Sequence, residues 1–119
     1  MRAEIVSIHN HGDFDKEYVL ITVLEDCDIG RFVMADSTYA ANGKVSNKLR
    51  HTHWFPDKQV KKGDWVSLWT KTGADITTTL NGVPMHRFFW NLKTAVWNDE
   101  GDCAVPQELL SWQFFKANG

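Results

Sequence analysis

Apolar residues recur at every second position through most of this chain, and that period constrains the fold more than any other feature. A two-residue repeat suits a β-strand, whose side chains alternate between faces, whereas a helix needs a period near 3.6. In Glu17-Tyr18-Val19-Leu20-Ile21-Thr22-Val23-Leu24, Val19, Ile21 and Val23 share one face. Tyr18, Leu20, Thr22 and Leu24 share the other. Both faces are apolar, which predicts a central strand covered on both sides. Trp65-Val66-Ser67-Leu68-Trp69-Thr70 is the cleanest strand, with Val66 and Leu68 alternating against Trp65, Ser67 and Trp69. Residues 3–8, 31–35, 49–55, 86–90, 95–97 and 103–105 read as further short strands.

Turn chemistry separates these runs. Residues 9–13, 25–28, 62–64 and 98–102 are rich in Gly, Asp, Asn and His. Residues 36–48 and 72–85 read as long polar loops, each with an Asn-Gly pair (Asn42-Gly43 and Asn81-Gly82). Pro106-Gln107 interrupts the extended path after Val105, and residues 108–115 read as a last strand or a short helix. Seven to nine short, mostly antiparallel strands without a long helix predict an all-β sandwich or small barrel. The length of 119 residues suits one domain spanning 1–119.

The order of these features resembles the lamin tail domain family. Glu17-Tyr18-Val19-Leu20-Ile21 is similar to its early "EYV-x-I" strand. The segment from Asp28 to Asp36 resembles "dLsGW-x-L-x-D", with Arg31-Phe32 where a Gly-Trp-like pair is common. Trp54-Phe55-Pro56, followed by the run from Val60 to Trp69, resembles "f-x-FP-x-x-x-L-x-xG-x-x-V-x-L/I-W". The stretch from Trp97 to Val105 is similar to "W-x-N-x-GD-x-a-x-L". Pro106-Gln107 departs from the pattern, because the family usually places a hairpin turn containing Asp and Gly there. The resemblance implies an immunoglobulin-like β-sandwich, and a module that binds protein partners or chromatin. The chain has no heptads, so it lacks a lamin's coiled-coil rod.

Charge is close to balanced overall, at −2, but is unevenly placed. Residues 1–36 carry eight acids and three bases, whereas residues 44–62 carry six bases and one acid. No 18-residue apolar run spans a membrane. No N-terminal stretch is apolar enough for a signal peptide, so a cytoplasmic location is expected unless a leader has been cleaved. Cys27 and Cys103 belong to no CxxC motif and are expected to be free.

No motif for nucleophilic, phosphate-binding or cofactor chemistry appears, so a non-enzymatic module without a cofactor is expected. Trp65 and Trp69 share one strand face and are candidates for protein contact. The competing expectation is that loop 72–85 or the C-terminal segment folds over them. Arg50, Lys58, Lys61 and Lys62 flank Trp54 and Phe55. Bases interleaved with aromatic rings suit an acidic partner, and residues 44–62 also suit nucleic acid. No small-molecule substrate is indicated. The rival reading is a metal-dependent hydrolase, or an accessory domain of one. It rests on His9/His11 and His51/His53, since residues two apart on a strand point the same way.

Overall fold

The structure, a computed structural model, describes residues 1–97 and 101–118. Among these residues lie ten strands, one more than the upper expectation. They are β1 (Ala3–His9), β2 (Tyr18–Val23), β3 (Cys27–Asp28), β4 (Phe32–Thr38), β5 (Thr52–Trp54), β6 (Gln59–Val60), β7 (Trp65–Trp69), β8 (Ile76–Leu80), β9 (Val83–Phe89) and β10 (Asp102–Glu108). A single 3-10 turn, Ile29–Arg31, precedes β4. The strands form a five-stranded sheet ordered β1-β2-β7-β9-β8, a three-stranded sheet ordered β10-β4-β5, and a β3-β6 pair. All pairings are antiparallel except β7 with β9. The fold is all-β, a sandwich as the alternation predicts.

One core cluster draws on both large sheets. Val19, Ile21, Val23, Val66, Leu68 and Phe88 come from the five-stranded sheet, and Phe32 and Met34 come from β4. Ile5 and Ile8 both pack against this core although they are three apart. A register shift between Ile5 and Ser7 makes this compatible with a strand, because one extra residue restores the inward face. Val6 is the residue left over, and it is exposed.

The β2 expectation needs one correction. Val19, Ile21 and Val23 are buried, but Tyr18, Leu20 and Thr22 are only half-buried. The strand is central in its sheet, and a second layer covers only one face. Loop 72–85 is also more ordered than expected. It contains β8, the Asn81-Gly82 turn and the start of β9. Asn81 (φ 53°) and Gly82 (φ 80°) are both left-handed, as a two-residue hairpin requires. Thr77-Thr78-Thr79 supplies the β-branched strand.

Three further expectations fail toward the C-terminal end. Pro106 does not interrupt the sheet, because β10 runs straight through it opposite Met34. As an edge strand, β10 tolerates a residue without an N–H. Residues 108–115 therefore form no separate strand or helix: β10 ends at Glu108, and the chain beyond is irregular. Residues 95–97 are not a strand either. Of the turn expected over 98–102, residues 98–100 lie outside the described residues.

Candidate functional site: the outer face of the five-stranded sheet

The register of β1, β2, β7 and β9 decides which outward side chains meet. His9 lies opposite Tyr18, and Tyr18 lies opposite Trp69. Their rings stack in a row. His9 and Tyr18 are 4.7 Å apart between centroids, with planes 5° apart. Tyr18 and Trp69 are 4.4 Å apart, at 23°. These spacings are close to the roughly 4.8 Å between neighbouring strands. The rings therefore stand upright on the sheet, each covering its neighbour's face and turning an edge outward.

Arg87 continues the row from β9. Its guanidinium carbon lies 4.5 Å from the Trp69 ring centroid, and Lys71 Nζ lies 5.4 Å from it. Such contacts stabilise by about 0.5–2 kcal/mol each. Among the described residues no carboxylate forms an ion pair with Arg87 or Lys71. The Trp69 indole N–H donates to Ser67 Oγ at 3.1 Å, which fixes the ring. Trp65 lies on the same face, half-buried, opposite Thr22 and Met85.

Trp65 and Trp69 thus share an outward face, as the alternation predicts. Trp69 is covered sideways by Tyr18 and Arg87, not by the C-terminal segment. That segment lies elsewhere, with Trp112 edge-on to Trp54 at 4.7 Å. Trp54 is 49% exposed and is not part of the core, whereas Trp90 and Trp97 are buried.

The basic candidates divide between the two sheets. Arg50 Nη1 lies 3.6 Å from Asp102 Oδ1, on β10 of the three-stranded sheet. Lys58 Nζ contacts the Thr77 hydroxyl on β8 of the five-stranded sheet. Lys61 and Lys62 sit in the turn before β7, with their side chains exposed. Sequence reasoning missed Tyr18, Lys71 and Arg87 as members of the outer-face group. Only strand order and register bring them together, and no local motif encodes either.

The histidines have separate surroundings. His9 stacks on Tyr18 and contacts Ser7 Oγ at 2.7 Å, whereas His11 is an exposed turn residue. His51 is held by Asp36, with Nδ1 to Oδ1 at 3.0 Å and its backbone N–H to the same oxygen at 2.6 Å. His53 packs against Phe55 and Trp90. The structure does not gather the two pairs: His9 belongs to the sheet's outer face, and His53 to β5 of the other sheet. Among the described residues no three His, Cys, Asp or Glu side chains come together as a metal ion needs. Cys27 and Cys103 are free thiols, and burial pushes both above the ordinary thiol range.

Burial among rings lowers the His53 pKa below its ordinary 6.5, against a smaller opposing pull from Asp75. The unfolded chain then binds more protons than the folded one as pH falls, so stability is full above about 6.5 and declines below it. Denaturation midpoints measured between pH 8 and pH 5 should fall toward acid. A His53→Phe variant should show a shallower fall over the same window.

Comparison with protein-family models, with curated proteins and with solved structures returned no match.

Proposed function

We propose that this chain is a binding or scaffold module, resembling a lamin tail domain, whose outer sheet face contacts an acidic protein partner. The observation that carries this reading is the Tyr18–Trp69–Arg87 stack with Lys71 beside it. Two cations are held on an aromatic ring without an ion-pairing carboxylate among the described residues, on a face that no second layer covers. A planar guanidinium fixed in this way is pre-organised to accept a carboxylate in two parallel hydrogen bonds. Leu20, Trp65 and Met85 add half-buried apolar surface on the same face. Upright rings favour a protein partner over a sugar or a stacked base, because both of those need an open ring face.

A glutamate-rich peptide titrated at low salt, with tryptophan fluorescence as the readout, tests the proposal. Binding should weaken with added salt, and Arg87→Ala with Lys71→Ala should weaken it about tenfold or more, a loss of about 1.4 kcal/mol. Single-stranded DNA binding more tightly than the peptide would assign the face to nucleic acid instead. Equal peptide affinity of the native chain and the double variant would remove this face from the reading.

A further inference from the structure

The strongest chemistry-bearing cluster outside the outer face joins the chain before β6, the turn before β7, and strands β8 and β9. Lys58 Nζ contacts the Thr77 hydroxyl. Thr77 Oγ1 lies 3.2 Å from His86 Nδ1, and His86 Nε2 lies 2.8 Å from Asp64 Oδ2. Asp64 Oδ2 also accepts the Lys61 backbone N–H at 3.0 Å. His86 and Asp64 are buried, while Thr77 is exposed on the edge strand.

The donors and acceptors allow a reactive arrangement of protons. An ammonium only donates, so the Thr77 oxygen accepts from Lys58 and its own hydrogen points elsewhere. In the neutral imidazole that carries its proton on Nε2, that N–H donates to Asp64 and Nδ1 is open to accept the Thr77 hydrogen. A hydroxyl on an unprotonated imidazole nitrogen, with a carboxylate orienting the far side of the ring, is the signature of an activated nucleophile. A cation beside the hydroxyl adds a group that stabilises negative charge on a reacting oxygen.

We infer that Thr77 is a covalent acylation site, whose hydroxyl takes an acyl group from an activated carboxylic ester. Thr77 Oγ forms a bond to the acyl carbon, and its proton passes to His86 Nδ1. The carbonyl π pair moves onto its oxygen beside Lys58 and returns as the bond to the leaving oxygen breaks. The leaving group departs with that bonding pair, and the imidazolium returns the proton to it. No atom changes oxidation state. Asp64 is a positioning residue that holds the tautomer, whereas Thr78 and Thr79 on the same strand lie opposite Met85 and Pro84 rather than a histidine. This site is separate from the outer face, so either assignment stands without the other.

The full chain incubated with p-nitrophenyl acetate, followed by intact mass and peptide mapping, tests the inference. One acetyl group should appear on Thr77. Thr77→Ser should retain the adduct on the new hydroxyl. Thr77→Val, an exposed substitution that leaves the core untouched, should lower labelling at this segment about a hundredfold or more, as His86→Gln should. Asp64→Asn should slow acylation and shift its pH midpoint downward, because the imidazolium loses its carboxylate; a purely structural role leaves that midpoint in place. Acetyl on Lys58, equal labelling of Thr78 or Thr79, or no adduct at all would overturn the assignment.

Discussion

Glu17→Ala should cost about 3–5 kcal/mol, a large part of the 5–15 kcal/mol that holds a typical domain together. Glu17 is fully buried, yet both of its carboxylate oxygens accept hydrogen bonds. Oε1 accepts the Gly12 N–H at 3.0 Å. Oε2 accepts the Val96 N–H at 2.8 Å and the Thr70 hydroxyl at 2.5 Å. These donors come from the β1–β2 turn, the loop after β7 and the segment after β9, so one side chain ties three connections together. Truncation strands two backbone N–H groups and a hydroxyl away from water, and each orphaned donor costs about 1–3 kcal/mol. Glutamine should rescue little. Whichever way the amide turns, its NH₂ meets a backbone N–H, from Gly12 or from Val96. Urea denaturation of the native chain and of the Glu17→Ala and Glu17→Gln variants gives the comparison. A glutamine variant within about 0.5 kcal/mol of native would show that neither the charge nor the second acceptor oxygen is needed to hold this knot.

Glu17 also shows where sequence reading runs out. The alternation in residues 17–24 and 65–69 places β2 and β7 well, because period and inward face are local properties. The bond from Glu17 to Val96 spans 79 residues and leaves no local trace. The outer-face stack is similar. Trp65 and Trp69 are legible as neighbours on one strand, but Tyr18 and Arg87 join them only through register. Arg50 and Lys58 show the converse. They are close in sequence, yet the sandwich sends one to β10 and the other to β8. The β8–β9 hairpin is legible in principle, from three threonines and an Asn-Gly pair, but its polarity favours a loop reading. Such polarity is tolerated because β8 is an exposed edge strand. His86 carries no motif of its own; its partners Asp64 and Thr77 lie 22 and 9 residues away.

Phe55→Ala should cost a similar 3–5 kcal/mol, by a different mechanism. Phe55 follows β5, and its backbone N–H donates to Phe32 O at 3.2 Å. Its buried ring meets Phe88 of the five-stranded sheet edge-on at 5.1 Å and His53 of the three-stranded sheet at 4.9 Å. It therefore packs between the two layers, and its removal leaves a cavity that neither sheet can fill without moving. Phe55→Leu keeps most of that volume and should lose less than half as much. The alanine variant has a second readout. Phe55 is one of the rings that keep water from His53, so opening this space should return the imidazole toward its ordinary 6.5. An NMR titration of the His53 ring protons follows this directly. A stability loss without an upward move of the His53 midpoint would mean that Trp90, not Phe55, excludes water from that ring.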